Sequence, residues 1–221
     1  MLLLQSDPMT DSPLPIAILI SGGGSNLQAL IDASLRGELD CDITVVISDR
    51  HGVHGLERAE AAGISTAVVA WSDHDSRSAF TEAICLTADD HGAKAMVLAG
   101  FMRILAPVAI ERFPNAIINV HPALLPSFPG AHAVDLALAY GATLTGVTVH
   151  FVDEQVDHGP IIAQESLPVF VDDDADSLHA RIQKVEHRLL PEVVAAFGRG
   201  DLAVEGRHVR WRQNSLEDTD S

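Results

Sequence analysis

Three short stretches carry side chains suited to chemistry. Ser21-Gly22-Gly23-Gly24-Ser25-Asn26 joins glycines, which let a backbone approach a ligand closely, to the start of a helix-like run. Free N–H groups at such a start attract anions, so a phosphate is the expected ligand. Asn119-Val120-His121-Pro122 sets an amide donor and an imidazole two residues apart. On a strand, alternation puts Asn119 and His121 on one side, a pairing suited to stabilising an oxyanion and relaying a proton. Asp157 lies in the acid-rich turn Asp153-Glu154-Gln155-Val156-Asp157-His158-Gly159. A carboxylate from that turn reaching His121 would raise the imidazole pKa and hold it protonated. Sequence does not show that contact, and acids in turns are commonly solvated.

Other motifs weigh less. The glycine run fails the dinucleotide pattern and the nucleophile elbow because Leu27 stands where each needs glycine. It fails the P-loop pattern because no Lys is present, and a tight turn without a ligand also fits. His51-x-x-His54 has metal-like spacing but no third partner, so solvated loop histidines are expected. Asp49, after the second apolar run, could bind a ribose hydroxyl but reads better as a turn acid. Lys94 and Lys184 are the only lysines, which makes Schiff-base chemistry a poor fit. The acidic run Asp172, Asp173, Asp174, Asp176 lacks the calcium-loop pattern and suits a helix start instead.

The elements that must position these residues follow from hydrophobic pattern. Ile16–Ile20, Ile43–Ser48, Thr66–Val69, Ala95–Leu98 and Ile117–Val120 are continuously apolar, as buried parallel strands should be. Asn26–Leu35, Gly55–Ala62, Ser76–His91 and Ile104–Arg112 between them have helical spacing. This alternation predicts an α/β fold with a mostly parallel, Rossmann-like sheet and ligands at the carboxyl ends of its strands. Pro122, Pro126 and Pro129 make His121–Gly130 a shaped loop. Thr145–Phe151 and Ile161–Pro168 then predict an antiparallel addition in the C-terminal half. A long helix is expected from about Asp176 to Phe197, with Leu178, Ile182, Val185, Leu189 and Val193 on one stripe and Pro191 kinking or ending it.

The chain has 221 residues, 47% of them hydrophobic, and a net charge of −17 from 14 Lys+Arg against 31 Asp+Glu. That composition fills a sizeable core and argues against a nucleic-acid surface, which needs clustered cations. One domain is expected over 15–210, preceded by an extension over 1–14 and followed by a polar tail over 211–221. Met9 is an alternative start to Met1. Cys41 and Cys85 match no disulfide or zinc framework and suit reduced thiols in a cytoplasmic protein. No signal peptide or 18-residue apolar run is present, so no membrane association is expected.

Together, five segments resemble the phosphoribosylglycinamide formyltransferases of purine biosynthesis. They are Ile20–Leu27, Val97-Leu98-Ala99-Gly100-Phe101-Met102-Arg103-Ile104-Leu105, Asn119–Pro126, Pro129-Gly130-Ala131-His132, and Val149-His150-Phe151-Val152 running on to Asp157-His158-Gly159-Pro160. The resemblance spans about Pro15 to Phe197 in order. It implies a formyltransferase fold and metal-independent transfer of the formyl group of 10-formyltetrahydrofolate to the amine of 5′-phosphoribosylglycinamide, within one-carbon metabolism. It also implies roles. His121, protonated, stabilises the tetrahedral oxyanion; Asn119 hydrogen-bonds the formyl oxygen; Asp157 holds His121 charged. Gly24, Ser25, Asn26 and Glu186 bind the ribonucleotide. Arg77, Met102, Arg103, Ile104, Leu105 and Asn119 line the folate site, with Asp153, Glu154, Gln155, Val156 and Asp157 reading the pterin ring. The bond before Pro126 is expected to be cis.

Gly23 replaces an Asn common between the glycines of the family, and Asp153 and Gln155 also differ from its usual residues. The rival reading is a formyltetrahydrofolate hydrolase, which shares the trio but usually carries an extra N-terminal domain. Methionyl-tRNA formyltransferase would need a basic, tRNA-binding extension. A non-catalytic nucleotide-binding regulator would leave Asn119, His121 and Asp157 unexplained. Oligomeric state, with a homodimer as one option, and the role of His132 are left open. Because both implied substrates are anions, attraction must be local: backbone N–H groups at Gly24–Asn26 and arginines such as Arg77 and Arg103.

Overall fold

The apolar runs of the first half become central strands because helices cover both of their faces. The computed structural model describes residues 12–212. In it, Leu14–Ile20 (β1), Cys41–Ser48 (β2), Thr66–Val68 (β3), Ala95–Leu98 (β4) and Ile117–His121 (β5) pair in parallel. Leu144–Phe151 (β6) joins β5 antiparallel and Ile161–Pro168 (β7) joins β6 antiparallel, as the sequence predicts. An unanticipated hairpin, Leu202–Glu205 (β8) and His208–Trp211 (β9), completes the sheet order β3-β2-β1-β4-β5-β6-β7-β9-β8.

Alternation along β1 divides the core. Ile16, Ile18 and Ile20 pack on the side of Ser25–Leu35 (α1) and Ala175–Gly198 (α6), whereas Ala17 and Leu19 face Phe80, Ile84 and Ala109 from Arg77–Asp90 (α3) and Pro107–Arg112 (α4). His54–Ala61 (α2) lies on the first side through Leu56 and Ala59. Cys41 and Cys85 are free and buried, and burial pushes their thiols up to about 12 and about 11, so both stay protonated.

The structure corrects several boundaries. The helix expected over Ile104–Arg112 starts only at Pro107, because a proline forces the preceding Ala106 into an extended conformation. Ala133–Tyr140 (α5) was not anticipated. Pro191 does not end α6, which continues to Gly198; burial of Val193, Val194 and Ala196 outweighs one lost hydrogen bond. β1 begins at Leu14, inside the expected extension. β9 reaches Trp211, inside the expected tail, where the indole Nε1 donates to the Ile162 carbonyl at 3.1 Å. The rest of both terminal stretches, residues 1–11 and 213–221, lies outside the described residues. No described helix is long and apolar enough to cross a membrane.

From β1 the chain steps outward to β2 and β3, then crosses back to β4 on the opposite flank of β1. The loops leaving β1 and β4 therefore diverge and open a crevice at the carboxyl edge. At its floor Ser21 N donates to the Gly100 carbonyl at 3.2 Å.

Candidate active site

Two antiparallel strands bring together the first of the side chains that the resemblance singles out. In the β5–β6 register Asn119 sits opposite His150 and His121 opposite Thr148, so all four side chains share one face. The β6–β7 loop adds Asp157, whose backbone is left-handed at φ 49°. That loop folds back closely enough that a Cβ at Gly159 would collide with the Phe151 carbonyl. Only glycine fits this return.

The carboxylate meets four groups. Asp157 Oδ2 accepts from Gly130 N at 2.6 Å and lies 3.3 Å from His121 Nδ1. Oδ1 accepts from Asn119 Nδ2 at 3.4 Å and lies 3.7 Å from His150 Nε2. Burial pushes the Asp157 pKa up, but the His150 ring, the Gly130 N–H and the His121 ring outweigh it and hold the group below the usual carboxylate range. His121 Nε2 faces the Phe128 carbonyl at 2.8 Å and must donate to it, while Nδ1 faces a carboxylate. Both ring nitrogens therefore point at acceptors, an arrangement that the imidazolium satisfies completely.

His150 supplies a contact that sequence reasoning missed. Its Nδ1 donates to the Phe151 carbonyl at 2.7 Å, and its Nε2 lies between Asn119 Nδ2 at 3.2 Å and Asp157 Oδ1 at 3.7 Å. The segment Val149–Val152 was noted in the sequence, yet only the strand register shows that His150 lies across from Asn119. Below them the Thr148 hydroxyl donates to the Ala123 carbonyl at 2.7 Å and accepts from Leu125 N at 3.0 Å. Gln164 Nε2 donates to the Leu125 carbonyl at 2.9 Å. These bonds pin the proline-rich loop, in which Leu125–Pro126 is cis as expected. His132 is exposed, 3.6 Å from Asp135.

Asn119 and His121 open on a cavity of about 580 Å³ that Met102, Arg103, Ile104, Leu105 and all five residues from Asp153 to Asp157 also line. Met102, Ile104 and Val156 are exposed there, giving an apolar wall beside polar backbone. Arg77 does not line this cavity; it is the exposed first residue of α3 and has no charged partner among the described residues. Asp49 is no turn acid, since its side chain is fully buried and paired with Arg103 at 2.8 Å.

The glycine loop forms a second, adjacent subsite. Gly24 caps α1 in the left-handed region at φ 71° and offers no side-chain cap, so the first N–H groups of α1 face outward unbonded. A Cβ on Gly24 would lie 2.7 Å from Gly55 Cα. Arg58 of α2, which sequence reasoning also missed, donates from Nε to the Gly23 carbonyl at 2.9 Å and has no carboxylate partner among the described residues. A fixed positive charge thus stands beside the loop in an otherwise acidic chain. Asn26 Nδ2 donates to Glu186 Oε2 of α6 at 2.9 Å, and Asn26 Oδ1 is buried without a partner among the described residues. The structure therefore joins Gly24, Ser25, Asn26 and Glu186, but apart from the trio. His54 pairs with Glu57 at 2.7 Å, and no described group of three or more His, Cys, Asp or Glu is arranged to hold a metal.

Comparison with known proteins agrees with this layout. A formyl transferase domain matches residues 14–194. The chain belongs to the formyl transferase family. It is 42% identical over 187 residues to the phosphoribosylglycinamide formyltransferase of Escherichia coli (strain K12), covering 85% of this chain and 88% of that protein. It is 40% identical over 198 residues to the trifunctional purine biosynthetic protein adenosine-3 of Gallus gallus, but spans only 20% of that protein's length. Glycinamide ribonucleotide transformylase 1 from Symbiobacterium toebii superposes with a TM-score of 0.90 at 41% identity, covering 94% of this chain and 99% of that one. A formyltetrahydrofolate deformylase from Pseudomonas syringae pv. tomato superposes at 0.85 with 26% identity, covering 92% of this chain and 67% of that one.

Proposed function

We propose that this formyl transferase family member moves the formyl group of 10-formyltetrahydrofolate to the amine of 5′-phosphoribosylglycinamide, a step of purine biosynthesis in the cytoplasm. The observation that carries the reading is the meeting of Asn119, His121 and Asp157 at the cavity mouth, beside the uncapped start of α1. The phosphate belongs at Gly24, Ser25 and Asn26, with the ribose near Glu186. The folate belongs along Met102–Leu105 and the Asp153–Asp157 backbone.

Each side chain has a task. Asn119 Nδ2 turns one N–H toward the formyl oxygen, releasing its long 3.4 Å contact to Asp157. The His121 imidazolium releases its Nε2–H from the Phe128 carbonyl and turns it toward the oxyanion that develops as the amine nitrogen bonds to the formyl carbon. Asp157 fixes the ring and keeps that charge balanced. As the bond between the formyl carbon and N10 breaks, the proton lost by the amine is passed through this group to N10, so no external acid is consumed. The required assay follows loss of the formyl group with and without the ribonucleotide. Turnover only with the amine is expected, and a chelator should leave it unchanged. Turnover without the amine would favour hydrolysis, the reading suggested by the likeness to the deformylase. No turnover in either case would sink both.

A further inference from the structure

Asp49 stands at the end of β2 with its side chain fully buried, and the mechanism above does not use it. A carboxylate in that position survives only if its partners replace water. Two arginines do so: Arg103 donates from Nε to Oδ2 at 2.8 Å and Arg50 from Nε to Oδ1 at 3.3 Å, with the Ser21 hydroxyl beside them. Burial pushes the Asp49 pKa up, yet these bonds outweigh it and hold the group below its usual range.

The same residues belong to both halves of the crevice. Ser21 begins the glycine loop, and its hydroxyl accepts from Met102 N at 2.8 Å. Arg103 follows in the cavity-lining segment and lays its guanidinium 5.2 Å from the centre of the Trp71 ring. Trp71 N in turn donates to the Asp49 carbonyl at 3.2 Å. Arg103 is therefore not a loose cation waiting for a folate carboxylate. Its Nε is committed, and only its Nη groups remain for a ligand.

We infer that Asp49 is a positioning residue for the formyl donor: it fixes Arg103 against Trp71 and so holds the Met102–Leu105 segment, whose Met102 N–H is bonded to the Ser21 hydroxyl, beside the start of the glycine loop. The inference rests on the folate reading of the cavity. Two arginines against one carboxylate leave a single positive charge at the anionic tail of the donor, held in one place.

The test compares Asp49→Asn, Arg103→Met and the double variant with wild type, measuring KM for each substrate, kcat, thermal midpoint and calorimetric affinity for an unreactive folate analogue. Each single change should raise the folate KM about tenfold, with a smaller effect on kcat and on the ribonucleotide KM. The double variant should be no worse than the worse single, because both remove one interaction. Additive losses, or a lowered midpoint with unchanged folate affinity, would overturn the inference. If Asp49→Asn does not fold, Trp71→Leu, which removes the ring against which Arg103 is held, must still weaken the analogue about threefold, and an unchanged affinity would overturn it. Wild-type protein that binds no analogue would overturn the folate reading and this inference together, whereas intact binding in Asp49→Asn overturns the inference alone.

Discussion

The catalytic corner at the ends of β5 and β6 and the glycine loop at the end of β1 are built on opposite principles. In the corner every polar side chain already has a partner: Asp157 has four neighbours, and both nitrogens of His121 face acceptors. In the loop the first N–H groups of α1 have no side-chain cap, and Asn26 Oδ1 has no partner among the described residues. The corner is organised before substrate arrives, as stabilisation of a transient charge requires. The loop leaves donors unspent, as binding a stable anion requires. On the proposed reading one region serves the transition state and the other the ground state, so damage to each should appear in a different kinetic constant.

The largest separation should come from Asp157→Asn. Removing the charge opposite His121 is expected to lower kcat by about 10²- to 10⁴-fold while folate-analogue affinity changes little. Equal losses in rate and affinity would erase the distinction between the two regions. Gly24→Ala should do the reverse. A methyl group at φ 71°, 2.7 Å from Gly55 Cα, should raise the ribonucleotide KM about tenfold and cost about 1–3 kcal/mol of stability, with folate affinity preserved. Parallel measurement of both KM values and of chemical denaturation decides it. The smallest effect is a pH signature. The folded pKa of Asp157 is held below its ordinary value, so its stabilising contribution is complete above the unfolded value of about 3.9 and is lost as pH falls through the folded value. Acid titration of unfolding should show the gap between wild type and Asp157→Asn closing only below about pH 4. A gap that widened with acid would mean that Asp157 is not held as a carboxylate.

Much of the frame was legible because its signals are local. Ala95–Leu98 and Ile161–Pro168 appear with the expected bounds, since a strand is written in a run of side chains. α5 escaped because Ala133–Tyr140 is apolar nearly all round and shows no stripe, and it follows a proline-rich loop that obscures its start. The β8–β9 hairpin escaped because four-residue, half-exposed strands carry little pattern. Pro191 misled because a proline's local penalty was visible and the buried face that overcomes it was not.

The sequence by itself determined the kinds of side chain available: a glycine loop at a helix start, an amide and an imidazole on one strand face, and a turn crowded with acids. It could not show that Asp157 reaches His121, that His150 meets Asn119, or that Asp49 holds Arg103. Those pairings join residues 31 to 54 positions apart. They depend on strand register, on the tight return at Gly159, and on the divergence of loops from β1 and β4. Periodicity is a property of neighbours in the chain. Contact between distant side chains is a property of the packed sheet, because only there are the loops held at fixed distances from one another.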